Sequence, residues 1–219
     1  MSTQPGKDGQ PQISAQLVKT LRERTGAGFS DCRNALVEAG GDLEAAATIL
    51  RERGQAVAKK KAQREANQGA VGTYLHAGGK IAVLVEVNCE SDFVARTDEF
   101  QQLCHELAMH VAALDPRYVR REDVPADVVE RERTNYLEQA RTAGKPENLL
   151  DRIVEGKLGK FYEDTCLYEQ HFIKDTTGSA TIGELITSKI AKFGENINVR
   201  RFSRFKVGEG GDTPGGGAE

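Results

Sequence analysis

A chain of 219 residues, 38% of them hydrophobic, can bury a core of its own without disulfide or metal staples. Charged residues make up 29%, yet Lys+Arg 30 against Asp+Glu 33 leaves a formal charge of only −3. That balance excludes the basic excess of a protein built around nucleic acid and points to protein surfaces as partners.

The ends, 1–12 and 208–219, carry too few large apolar groups to offset the entropy of ordering, so they read as flexible tails around a folded part at 13–207. Met1 to Gln12 also lacks the basic-then-apolar order of a secretory leader, and no stretch has the length of a membrane helix. The expected address is cytoplasmic.

Residues 13–54 spell three short helices. Ser14 can cap the first, whose Leu17, Val18 and Leu21 share a face before Gly26 and Gly28 break the pattern. The second turns Phe29, Cys32, Ala35 and Leu36 inward and stops at Gly40-Gly41. Asp42 caps the third, with Leu43, Ala46, Ile49 and Leu50 facing the same small core up to Gly54. Residues 55–68, with Lys59-Lys60-Lys61 and Arg64, read as a solvated helical linker. The alternative is a basic run touching RNA or the ribosome, but no aromatic stacking residues are interleaved with it.

From 69 to 207 the periodicity is that of an α+β domain. Val71, Tyr74 and Leu75 lead through Ala77-Gly78-Gly79 into the apolar strand Lys80 to Cys89, a hairpin pattern. Phe100, Leu103, Leu107 and Val111 then recur at helical spacing. After Pro116 and Pro125, the segment Val128 to Ala143 is charged and weakly patterned. Leu149, Leu150, Ile153, Val154, Leu158, Phe161 and Tyr162 mark a clearer helix despite Gly156 and Gly159, and a last helix runs from Thr181 to about Gly194. Ile197 to Val207 alternates as a half-exposed strand should, completing a three-stranded sheet.

Signs of catalysis are absent: there is no phosphate loop, no HExxH, no GxSxG and no GxGxxG after a strand. Cys104, His105 and His110 offer a nucleophile and bases, but adjacent helical positions diverge, so they read as packing and surface residues. His76 and His171 stand alone. Cys32, Cys89, Cys104 and Cys166 lack CxxC spacing and read as buried small hydrophobes, so neither metal nor cofactor is expected. One feature resists this reading. The buried strand leaves through Ser91-Asp92 directly into Phe93-Val94. Either Phe93 tucks under the next helix with Asp92 capping a turn, as burial statistics favour, or it projects.

Two segments, LRERTGAGFSDCRNAL (Leu21 to Leu36) and EVNCESDFVAR (Glu86 to Arg96), resemble the paired signatures of the elongation factor Ts family. The resemblance continues through Gly144-Lys145-Pro146, Ile153 to Leu158 and Gly194 to Arg201, in the family's order. Ser91 stands where Thr is usual, Arg33 where Lys is common, and Phe29 or Ser30 at a Met position.

The resemblance implies a non-enzymatic exchange factor that releases GDP from elongation factor Tu, with no direct contact to nucleic acid or membrane. An N-terminal three-helix bundle of the ubiquitin-associated-like kind would dock through Gly26, Gly28, Asp31 and Arg33. The core, a three-stranded antiparallel sheet with helices, would present Ser91, Asp92, Phe93 and Val94 near the partner's magnesium site. The similarity is to the family's short form, expected to lack the second core lobe and the coiled-coil hairpin of longer members and to form a homodimer in compensation.

Overall fold

The computed structural model describes residues 13–175 and 180–209. The expected tails lie largely outside those limits. Gly208 and Glu209, assigned to the second tail, are described, and the Glu209 carboxylate accepts hydrogen bonds from Arg204 and Lys206. The fold is α+β, with three strands in the order β1-β2-β3: β1 Gln68–Leu75, β2 Ile81–Cys89 and β3 Asn198–Lys206. The described chain gathers into two compact units, one of residues 13–69, 88–97 and 184–198, the other of 70–87, 98–183 and 199–209.

In the first unit the three predicted helices are present. Helix α1 (Ala15–Thr25) opens on Ser14, whose hydroxyl accepts from the Leu17 N–H at 3.2 Å, and closes on Gly26 at φ 68°. Helix α2 (Phe29–Glu38) packs Cys32, Ala35 and Leu36 against Val18, Leu21 and Ala46. Phe29, expected inside, is instead 56% exposed, because it is the first residue of its helix and has no preceding turn to cover it. Helix α3 (Leu43–Lys61) begins at the Asp42 carboxylate, which accepts from the Glu44 and Ala45 N–H groups.

Helix α3 does not end before Gly54. It runs on for two further turns, so the expected linker is half helix. Gly54 is buried where a β-carbon would stand 3.7 Å from the Ala191 side chain. Packing against the later helix outweighs the roughly 1 kcal/mol propensity cost of an interior glycine.

In the second unit β2 is the expected apolar strand but is buried on one face only: Val83, Val85 and Val87 are fully buried, while Leu84 between them is exposed. Helix α5 (Asp98–Leu114) covers that face with Phe100, Leu103, Leu107 and Val111. Strand and helix approach so closely at Gly72 that an added β-carbon would fall 2.2 Å from the Cys104 carbonyl oxygen.

The weakly patterned segment is a full helix, α6 (Ala126–Thr142), in which only Ala140 is buried. It is paired with α7 (Leu150–Thr165) as a helical hairpin. Arg133 bridges to Glu155 at 2.7 Å and the Lys157 ammonium lies over the Tyr136 ring. The two helices of this hairpin are held by long amphipathic side chains lying across one another as well as by apolar contacts, so the α6 pattern is faint while α7 keeps its stripe of Leu150, Val154 and Leu158.

Candidate functional site

Strand β2 delivers the chain to Cys89 with its side chain inside, and the exit that follows is tightly built. Ser91 has extended backbone (φ −125°, ψ 148°), and its hydroxyl accepts from the Val94 N–H at 3.3 Å, capping a single helical turn, α4 (Asp92–Ala95). Successive helical residues point about 100° apart. Val94 and Ala95 are turned into the core and Phe93 is turned out, 83% exposed.

Asp92 is not the cap. Its carboxylate pairs with Arg96 at 2.6 Å, an exposed i,i+4 contact that adds little stability. The alternative with Phe93 beneath the next helix is thereby excluded. Of the four residues singled out here, Asp92 and Phe93 face solvent, Ser91 is half-buried, and Val94 is an anchor rather than a surface group.

Sequence reasoning missed what holds this turn. The Glu195 carboxylate accepts from the Glu90 and Ser91 N–H groups at 3.1 and 3.0 Å and from the Ser91 hydroxyl at 2.6 Å. In return the Glu90 carboxylate accepts from the Asn196 N–H at 2.6 Å and pairs with Arg64. The Asn196 bond, more than the Arg64 charge, holds the Glu90 carboxyl below its usual range. The Asn196 side-chain amide donates to the Arg64 carbonyl oxygen at 2.7 Å. Over a hundred residues separate Glu195 and Asn196 from the groups they bind, so no local pattern could reveal these bonds. Burial, followed by the nearby Glu195 charge, pushes the Cys89 thiol up to about 11.

Of the N-terminal residues, Gly26 and Gly28 flank the turn between α1 and α2. Gly28 is the extended N-cap, and a β-carbon there would meet the Asp31 carboxylate at 3.0 Å. Asp31 and Arg33 are both exposed but two positions apart, so they point to different sides of α2. Arg33 instead shares its side with Phe29, one turn earlier. Phe29 borders a concavity of about 450 Å³ with Lys19, Arg22, Glu23, Gly26 and Lys192. An exposed aromatic in a cationic hollow is a feature that helical periodicity misassigned to the core.

The other chemistry-bearing residues do not converge. Cys104 is buried in the core, while the His105 ring lies 3.0 Å from the Thr73 carbonyl oxygen. His76 meets the Tyr74 hydroxyl. All four cysteines are buried, and burial raises the Cys32 and Cys166 thiols. Among the described residues no three His, Cys, Asp or Glu side chains are grouped to hold a metal ion, and no helix is long and apolar enough to cross a membrane. Lys59, Lys60 and Lys61 form the last turn of α3, where cations oppose the helix dipole, and the Lys61 ammonium donates to the Gly194 carbonyl oxygen.

Comparison with known proteins adds ancestry to this geometry. The profile of the family described as Elongation factor TS matches residues 42–179. The elongation factor Ts of Solibacter usitatus is 56% identical over 209 residues, covering 93% of this chain and 98% of the relative. That of Koribacter versatilis is 57% identical, covering 92% of this chain and 91% of its own. That of Caldanaerobacter subterraneus is also 57% identical, covering 90% and 98%. With more than half its residues identical over some nine-tenths of its length, the chain belongs to the elongation factor Ts family of translation elongation factors.

Proposed function

We propose that this elongation factor is a guanine-nucleotide exchange factor that promotes GDP release from elongation factor Tu, acting through Asp92 and Phe93. The observation that carries the reading is Phe93 itself, 83% exposed on a short turn whose neighbours are anchored. Leaving a phenyl ring in water forgoes about 1.5 to 3 kcal/mol of burial, which a partner surface can recover. An aromatic anchor of that kind is typical of an interface hot spot.

The mechanism is thermodynamic linkage. A factor that binds the nucleotide-free partner more tightly than the nucleotide-bound one weakens nucleotide binding by the same factor. Phe93 would serve as a wedge beside the partner's magnesium site. The Asp92 carboxylate would disfavour the acidic phosphates and compete for the groups that position the cation. No covalent bond is made or broken. The N-terminal bundle would dock on the partner's nucleotide-binding domain through the Gly26-to-Arg33 region, with Phe29 and Arg33 on one side of α2.

A second copy of the chain would complete the molecule. Alternation along the strands turns Val71, Leu75, Leu84 and Phe205 to the sheet face opposite the buried valines, and all four are exposed. A contiguous apolar face of this kind marks an association surface, and a two-fold axis would pair it with itself.

The test is release of a fluorescent GDP analogue from elongation factor Tu. Micromolar protein is expected to accelerate release, and Phe93→Ala to lose most of the acceleration while keeping the wild-type circular dichroism spectrum. No acceleration by the wild-type chain would overturn the function; an undiminished Phe93→Ala would overturn the wedge.

A further inference from the structure

We infer that Glu195 is a positioning residue for the Asp92-Phe93 turn, setting the direction in which Phe93 projects. The inference rests on the exchange reading above and extends it to a residue more than a hundred positions away. Helix α4 has only four residues, too few for a stable helix by itself, so its orientation must come from outside it. Three things supply that orientation: the Ser91 cap, the burial of Val94 and Ala95, and Glu195.

Glu195 is brought to the turn by the chain leaving α8 (Ile182–Phe193), where Gly194 adopts φ 66° and ends the helix. One carboxylate there gathers three donors: two consecutive backbone N–H groups and the hydroxyl of the capping serine. Charge-assisted bonds to a carboxylate are stronger than neutral ones. The reciprocal bond from the Asn196 N–H to Glu90 ties the two segments in the opposite sense, so the pair resists sliding as well as separation. The Ser91 hydroxyl is fixed on both sides, donating to Glu195 and accepting from Val94, so the cap cannot rotate away.

Without the carboxylate, Val94 and Ala95 would still anchor the turn, but Glu90 and Ser91 would lose three partners and Phe93 would sample a wider arc. Docking would then require ordering that the wild type has already completed. Glu195→Ala is therefore expected to lower the plateau exchange rate on the order of tenfold, the scale of losing a charge-assisted hydrogen bond, with a smaller change in the half-saturating concentration. Glu195→Gln keeps an acceptor for the backbone N–H groups and should recover most of the rate.

A double-mutant cycle separates positioning from general stability. If Glu195 acts through Phe93, adding Glu195→Ala to Phe93→Ala costs less than about twofold further. A full additional loss would overturn the inference, as would wild-type exchange by Glu195→Ala in a series where Phe93→Ala is impaired; both outcomes leave the exchange function standing. An unimpaired Phe93→Ala would instead overturn the wedge, and the inference with it. Should Glu195→Ala not fold, as judged by thermal melting, Glu195→Asp carries the test. It keeps the charge but withdraws it by one methylene, and undiminished exchange by that folded variant overturns the inference.

Discussion

His110 is fully buried on α5 and hydrogen-bonded at both ring nitrogens. The Ile173 N–H donates to Nδ1 at 3.3 Å, which places the ring proton on Nε2, where it is donated to the Gln170 side-chain oxygen at 3.1 Å. Gln170 in turn donates to the Asp164 carbonyl oxygen at 2.9 Å. Burial pushes the His110 pKa below its ordinary 6.5, because the charged ring has no carboxylate to replace water. Below about pH 6.5 the unfolded chain therefore binds a proton that the folded chain resists. The His110 contribution is complete above that value and is lost as pH falls through it toward the folded pKa. Urea midpoints are expected to be level above about pH 7 and to decline as pH falls below about 6.5. His110→Leu should lose stability at every pH by leaving the Gln170 side-chain oxygen and the Ile173 N–H without their partner, about 1 to 3 kcal/mol, and should flatten the decline. A decline unchanged in that variant would assign it elsewhere.

Among the elements, α3 departs most from its local signals. Gly54 is a stop signal by propensity, yet the helix passes through it with non-strained backbone. An alanine β-carbon there would lie 3.7 Å from the Ala191 β-carbon and 3.9 Å from the Thr187 methyl, ordinary contact distances. Gly54→Ala is thus expected to stabilise the protein by about 0.5 to 1 kcal/mol, raising Tm by about 1 to 4 °C in a calorimetric scan. A lower Tm would mean that the helices tolerate nothing at their crossing. Helix α6 teaches the opposite lesson. Ala140 is its single fully buried residue and Val129, Tyr136 and Leu137 are only half-buried, so its stripe is weak, and the hairpin partner that covers it begins beyond the Gly144-Lys145-Pro146 turn.

At the scale of the whole molecule, the exposed sheet face makes a definite demand. Leu84 lies on the central strand, 48% exposed, with the Glu86–Arg201 pair on the same face at 2.8 Å. In a two-fold interface every substitution counts twice, so Leu84→Asp, removing burial of the exposed half of two leucines, costs at least about 1.5 kcal/mol and weakens association by about tenfold or more. Sedimentation velocity at micromolar concentration should find the wild type dimeric and Leu84→Asp monomeric. A monomeric wild type would remove the second copy from the proposed assembly.

What the sequence by itself determined was whatever depends on neighbours a few positions away. Ser14 and Asp42 as caps, the glycines that end α1 and α2, the apolar run of β2 and the stripe of α5 are all written in neighbouring residues, because helix and strand periods are local properties of the backbone. The paired signatures marked the family and the turn. Only the tertiary structure decided which way that turn faces. Phe93 could have been core or surface until Val94 and Ala95 were seen to take the inside and Ser91 the cap, and Glu195 could not have been suspected at all. Side chains brought together by folding satisfy one another's hydrogen bonds at distances along the chain over which no periodicity survives.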